Sequence, residues 1–352
     1  MRVLIAEDSV TARQLLVSLL EGDPGIEVVG EAANGVQAVE MAKRLRPSLV
    51  VMDIQMPEMD GFEATKRIMI EAPTPVIIVT AAHDPRDVEM SLRAVQLGAL
   101  TVLPKPVGPG SPGFEASAGR LVSLAKALAE VKVVRRRWSA EDAAEAARSK
   151  AAAQEHSLEG RPVHAVAVGA STGGPAALYR FLEHLPRDAD VPVLVVQHIA
   201  DGFSQGLVTW LSSGTPLPVK LAEQGERLAG GVVYVAPCRH HLEVGPGRTV
   251  SLPATPPVGG FRPSATVLFR SVAAAYASTA AGVILTGMGQ DGCEGLAVLR
   301  KAGGRVLAQD EASSVVFGMP GAAISAGLAH VVAPVEGLAH SLSKVVTRRT
   351  GQ

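Results

Sequence analysis

Val163-His164-Ala165-Val166-Ala167-Val168-Gly169-Ala170-Ser171-Thr172-Gly173-Gly174 is a strand-like apolar run that ends in a serine framed by glycines. Apolar from Ala165 onward, the run reads as a strand, and the glycines behind it permit a sharp turn into a helix. Further strand-like runs follow at 191–197, 232–235, 282–286 and 305–308, with glycine- and proline-rich turns between them. The shorter runs around 218–252 are expected to pair antiparallel. Upstream, the runs 3–6, 26–31, 49–53, 76–80 and 99–103 lie roughly 22 to 27 residues apart, the cadence of βαβ units. Between the first two, Ala12, Leu15, Leu16, Leu19 and Leu20 fall on one helix face, so that helix packs on a sheet.

Both halves are therefore expected to be α/β: a doubly wound, flavodoxin-like parallel five-stranded sheet first, and a mostly parallel α/β domain second. A last helix of the first half is expected over 114–131. Residues 135–160 are charged, alanine-rich and empty of long apolar runs, the composition of a connector. The expected boundaries are 1–130, a linker 131–160, and 161–347.

A chain of 352 residues suits two such domains. Hydrophobic residues make up 47%, yet no run approaches the roughly 18 apolar residues that span a bilayer, so the chain is not expected to be membrane-embedded. The first residues turn acidic at Glu7 and Asp8, unlike a secretory signal, and the two cysteines, Cys238 and Cys293, give no disulfide framework. A cytoplasmic location is expected. The net charge of -1 excludes a strong electrostatic footprint for nucleic acid, and Arg135-Arg136-Arg137 reads as a solvated face.

In an open parallel sheet, ligands sit at the carboxyl ends of the strands, where the first half places Glu7, Asp8, Asp53, Thr80 and, just beyond, Lys105. Three carboxylates brought together repel one another, so a divalent cation is their natural partner, and oxygen-only ligands point to magnesium. Lys105 and Thr80 add a positive charge and a hydroxyl donor, the equipment that positions a transferring phosphoryl group. This half resembles the receiver domain of bacterial response regulators, through Glu7-Asp8, the stretch from Val50 through Asp53 to Gly61, Thr80-Ala81 and Lys105-Pro106. The resemblance implies phosphorylation at Asp53, a metal held by Glu7, Asp8 and Asp53, and phosphoryl contacts from Thr80 and Lys105. Receivers commonly carry an aromatic three residues before the lysine. This chain has Val102, which implies a smaller difference between its two states.

In the second half, Gly169-Ala170-Ser171-Thr172-Gly173 satisfies G-x-S-x-G, and amides at the following helix N-terminus could hold an oxyanion. A dinucleotide-type anion loop would need glycine where Ser171 stands. The base a serine nucleophile needs is His198, at the end of the run 193–197, and the carboxylate that orients it is Asp291, just past 282–286. The commoner hydrolase order would instead combine Asp291 or Asp310 with His330. Cys238-Arg239-His240-His241 lacks the second ligand pair of a metal site, and Arg262 either docks substrate or anchors a loop.

These residues resemble the catalytic domain of the chemotaxis-type protein-glutamate methylesterase over about 163–340, through Gly-Ala-Ser171-Thr-Gly-Gly, Gln197-His198, Phe261-Arg-Pro-Ser264, Leu285 to Gly292, and Phe317-Gly-Met-Pro320. The resemblance implies Ser171 as nucleophile, His198 as base then acid, Asp291 as orienter, and an oxyanion region at Met288 and Thr172. No cofactor is expected for the ester reaction. It further implies a phosphorylation-activated esterase acting on glutamate methyl esters of chemoreceptors, releasing methanol, with glutamine deamidation beside it and a histidine kinase as phosphodonor. The receiver would cover the active site until Asp53 is phosphorylated. Rival readings are a non-enzymatic signalling module, against which the serine, histidine and aspartate argue, and a DNA-binding regulator, for which no basic domain is present.

Overall fold

The computed structural model describes residues 1–81, 91–95, 97–131 and 162–348. The expected linker 131–160 and Arg135-Arg136-Arg137 therefore lie almost wholly or entirely outside the described residues. The chain divides into two compact units, 1–137 and 138–352.

In the first unit, β1 (Arg2–Ala6), β2 (Glu27–Ala32), β3 (Leu49–Met52), β4 (Val76–Thr80) and β5 (Thr101–Pro104) form one parallel sheet in the order β2-β1-β3-β4-β5. Every residue of β3 and β4 is buried, which is why these strands are continuous apolar runs. Three of the covering helices start on side-chain caps: Ser9 before α1 (Val10–Glu21), Asn34 before α2 (Gly35–Leu45) and Asp60 before α3 (Gly61–Glu71). Each cap satisfies an amide that the first helical turn leaves unpaired. Helix α4 (Phe114–Leu128) stops short of the expected Val131, and its buried positions Leu121, Leu124, Ala125 and Leu128 follow the helical repeat.

The second unit is built on a seven-stranded sheet in which every adjoining pair is parallel. Its strands are β6 (Ala165–Ala170), β7 (Val193–Gln197), β8 (Val219–Leu221), β9 (Val233–Val235), β12 (Ala280–Ile284), β13 (Arg305–Gln309) and β14 (Val331–Ala333), ordered β14-β13-β12-β6-β7-β9-β8. The antiparallel expectation for 218–252 holds only for β10 (Glu243–Gly245) and β11 (Thr249–Ser251), joined by a tight turn. β8 and β9 run parallel because residues 222–232 cross over rather than reverse locally. Helices α5 (Gly174–Glu183), α6 (Ser204–Ser212), α7 (Ala265–Tyr276), α8 (Cys293–Lys301), α9 (Met319–Ser325) and α10 (Val335–Ser343) cover the sheet, and Phe181, Phe203, Trp210 and Phe269 are buried beneath them. The C-terminal segment returns to the start of this unit: Val163 donates to Val345 O (2.7 Å) and accepts from Thr347 N (3.2 Å).

Candidate active site and acidic site

β12, β6 and β7 are neighbours in the middle of the larger sheet, so the residues that follow them meet along one edge. Ser171 directly follows β6 and His198 directly follows β7, and the two ends are tied in register: Ala170 faces Gln197, and His198 N donates to Ala170 O at 2.9 Å. On the other side, Ser171 N donates to Thr286 O at 3.0 Å, just past β12. The side chain of Gln197 closes the gap between the ends of β6 and β7, donating from Nε2 to Ser171 O (2.7 Å) and to His198 O (3.0 Å). Two glycines make room for this turn. Gly173 has φ +76°, a backbone that favours glycine, and a Cβ on Gly174 would fall 2.1 Å from Gln197 Oε1.

His198 Nε2 lies 2.9 Å from Asp291 Oδ2, with both side chains almost fully buried. Asp291 otherwise receives Ser264 Oγ (2.8 Å), Ala265 N (2.7 Å), Thr266 N (3.1 Å) and its neighbour Gly292 N (2.9 Å). It therefore caps α7, whose own N-cap residue Ser264 makes no side-chain cap bond, and the carboxylate sits where the helix dipole favours a negative charge. Burial by itself would raise this carboxyl, but hydrogen bonds from His198, Ser264 and Ala265 and the His198 charge bring it down to about 2. An ionised Asp291 can only accept, so the proton of His198 resides on Nε2 and Nδ1 is left as the acceptor. Nδ1 is buried and has no hydrogen-bond partner among the described residues.

Gly287 packs against Ser171 so closely that a Cβ there would lie 2.7 Å from Ser171 Cβ, which brings the Met288 backbone beside Ser171. Gly287 is pinned by Val316 O, Gly318 N and Met319 N, while Thr286 Oγ1 donates to Thr172 O at 2.9 Å. The backbone N–H groups of Thr172 and Met288 donate to no acceptor among the described residues. The alternative base is placed elsewhere. His330 Nδ1 accepts from Val306 N (3.0 Å) at the opposite, amino-terminal end of β13, and Asp310 binds Ser313 in its own loop. His241 accepts from Ser264 N and contacts Pro256 O, and Cys238 contacts Ser204, so neither joins a metal cluster among the described residues. Arg262 donates to Ala254 O and Thr255 O, the loop-anchoring alternative.

In the first unit, carboxylate oxygens of Glu7, Asp8 and Asp53 lie within 4.8 Å of one another. Lys105 Nζ stands 2.9 Å from Asp53 Oδ2 and from both Glu7 oxygens, yet its hydrogen bond to Glu7 is directed at Oε1, leaving the buried Oε2 without a hydrogen-bond partner. Burial raises the carboxyls of both Glu7 and Asp53 above their usual range, against the lowering effect of Lys105. Burial would lower Lys105, but its hydrogen bonds to Glu7 and Asp53 hold it above the ordinary lysine value. Three carboxylates this close, two of them buried and with only one ammonium to balance them, fit a hard divalent cation. Thr80 ends β4, buried, and its carbonyl accepts from Lys105 N at 2.9 Å.

Sequence reasoning named Gln197, Phe261 and Ser264 only as motif residues. Their contacts with the carbonyls, the His198 ring and Asp291 come from distant segments, and no local periodicity signals them.

The receiver model for response regulators matches residues 3–111, and the model described as CheB methylesterase matches residues 166–342. Protein-glutamate methylesterase/protein-glutamine glutaminase 4 of Myxococcus xanthus is 57% identical over 344 residues, covering 97% of this chain and 96% of that protein. Number 3 of Anaeromyxobacter dehalogenans is 52% identical, covering 97% and 98%. The crystal structure of the Thermotoga maritima CheB methylesterase catalytic domain, 36% identical, superimposes with a TM-score of 0.51 over 52% of this chain and 99% of its own. With the catalytic-domain model spanning half the chain and relatives matching nearly end to end, the chain belongs to the CheB methylesterase family, with a response regulator receiver domain ahead of its catalytic domain.

Proposed function

We propose that this chain is a phosphorylation-activated protein-glutamate methylesterase that removes methyl groups from glutamate side chains of chemoreceptors, and deamidates receptor glutamines by the same route. The observation that carries the reading is the 2.9 Å bond between His198 and an ionised Asp291 on the sheet edge that also presents Ser171. Ser171 Oγ attacks the ester carbonyl while His198 Nδ1 takes its proton, and Asp291 steadies the imidazolium through Nε2–H. The tetrahedral oxyanion is received by the amides of Thr172 and Met288. Its collapse returns the proton from Nδ1 to the departing methoxy oxygen, releasing methanol and leaving a glutamyl ester on Ser171. Water, deprotonated by His198, then frees the serine and leaves glutamate. For a glutamine side chain the leaving group is ammonia.

In the receiver, Asp53 accepts the phosphoryl group from a chemotaxis-type histidine kinase, with Thr80 and Lys105 contacting its oxygens. Glu7, Asp8 and Asp53 would hold Mg2+, which when bound neutralises charge between donor and acceptor. The working boundaries are 1–130 for the receiver, 131–160 for the linker and 161–347 for the catalytic domain. Among the described residues no helix is long and apolar enough to cross a membrane, which is compatible with a cytoplasmic enzyme acting on membrane receptors.

The decisive experiment is methanol release from methylated receptor membranes. Ser171→Ala should abolish it while leaving the melting temperature near that of the parent, and His330→Ala should leave it intact. Methanol release by Ser171→Ala at the parental rate would remove the serine mechanism.

A further inference from the structure

Phe261 and His198 are stacked face to face, with ring centroids 3.9 Å apart and planes 5° from parallel. The imidazole thus lies flat against the Phe261 ring, well within the roughly 6 Å at which a ring face attracts a cation. A protonated imidazole over the same face is attracted by it. The ring face is therefore worth more to an imidazolium than to a neutral imidazole, and in the mechanism proposed above the imidazolium forms as His198 takes the serine proton.

We propose that Phe261 is a positioning residue for the esterase reaction: its ring face stabilises the His198 imidazolium formed in the transition state and fixes the plane in which Nδ1 meets the serine. This rests on the reading of His198 as the general base.

The surroundings make the stack rigid. Phe261 N and O pair with Val258 O and N, both at 3.0 Å. Arg262 Nη1 donates to Ala254 O (3.0 Å) and Thr255 O (3.1 Å). His241, fully buried, spans Pro256 O and Ser264 N, each at 3.2 Å. Three residues beyond the ring, Ser264 Oγ binds Asp291 Oδ1. One loop thus addresses both polar requirements of the imidazolium, a ring under its face and an oriented carboxylate at Nε2. Asp291 is the charged group bonded to the His198 ring, whereas Arg262 and His241 on this loop direct their nitrogens to backbone groups. The His198 side chain is 3% exposed, so water does little for its charge and a favourable ring face counts for more than at the surface. Because the interaction is stronger in the transition state than in the ground state, it acts on kcat rather than on KM.

The test replaces Phe261 in the full chain with phenylalanines bearing one, two and three ring fluorines, which barely alter shape but progressively empty the ring face of negative potential. Methanol release from methylated receptor membranes is followed with phosphodonor present. The expected result is a stepwise fall in log kcat with each fluorine at nearly constant KM, reaching roughly two- to thirty-fold across the series. Phe261→Leu should fall at least as far and move the acidic limb of the kcat pH profile to lower pH, since the imidazolium loses a stabilising neighbour. A flat fluorine series, or one that moves KM alone, would overturn the proposal even if Phe261→Leu is inactive, because packing is insensitive to the ring's charge distribution. His198→Gln separates the two readings: full activity there overturns the assignment of the base and this proposal with it, whereas loss there combined with a flat series overturns the role of Phe261 alone.

Discussion

Five donors converge on the Asp291 carboxylate: His198 Nε2, Ser264 Oγ and the amides of Ala265, Thr266 and Gly292. Asparagine at this position must turn a donor of its own toward one of them. The least costly relief is for His198 to move its proton to Nδ1, the nitrogen that has to stay free for Ser171. Asp291→Asn should therefore keep the fold but lower kcat by roughly 10^3 to 10^4-fold, less than Ser171→Ala, as initial rates of methanol release will show. The carboxyl is depressed from 3.8 to about 2, so its contribution is present above pH 3.8 and is lost as pH falls toward 2. That contribution is about 2 kcal/mol by linkage, and the denaturation deficit of Asp291→Asn at pH 7 should shrink at pH 3. Glu7 and Asp53 carry the opposite sign. Their raised carboxyls stabilise the receiver below the unfolded value and lose that contribution as pH rises through the folded one. Mg2+ should consequently raise the melting temperature of the receiver more at pH 7.5 than at pH 5, where protons compete for the same oxygens. An equal shift at both pH values would count against these residues as the metal site.

At the scale of the element, one side chain ties the ends of β6 and β7 together. Gln197, the last residue of β7, ties the carbonyls of Ser171 and His198 together, and its Oε1 occupies the space beside Gly174. Gly174→Ala should displace that amide and cost activity. In a Gln197→Ala background the same change should cost less, the remaining conflict being with Ala170 Cβ at 2.9 Å. Strictly additive losses in the double variant would show that the glycine and the amide act separately. The fully buried strands were legible from sequence, because a strand covered on both faces has to be apolar throughout: β3, β4, β6 and β7 all announce themselves in this way. From strand ends alone the sequence also pointed to the loops that carry Ser171, His198 and Asp291, of which the last two are hydrogen-bonded. It could not order β8 and β9, since short runs between glycines look alike whether the chain reverses or crosses over. Nor could it show that Asp291 caps α7 or that Phe261 covers His198, contacts that bridge segments 27 and, by position, more than 60 residues apart.

At the scale of the molecule, every residue of the proposed esterase mechanism follows β6, β7 or β12 in the second unit, whose C-terminal segment returns to Val163 within the same unit. On that reading, a receiver that inhibits would act on access of substrate rather than on the chemistry itself. A fragment from about residue 160 onward should then hydrolyse receptor methyl esters faster than the whole unphosphorylated chain, and a phosphodonor with Mg2+ should accelerate only the whole chain. Val102, on β5 opposite Ile78, sets the expected size of that acceleration. A small aliphatic side chain has fewer distinct packings than the aromatic that receivers commonly carry there, so the two receiver states differ less and the phosphorylated fraction shifts less of the population. Val102→Phe should widen the ratio of phosphorylated to unphosphorylated rates while leaving the isolated fragment, which lacks the residue, as the reference. Initial methanol release by the fragment, the parent chain and Val102→Phe decides the matter, and a fragment no faster than the unphosphorylated parent would exclude inhibition by the receiver.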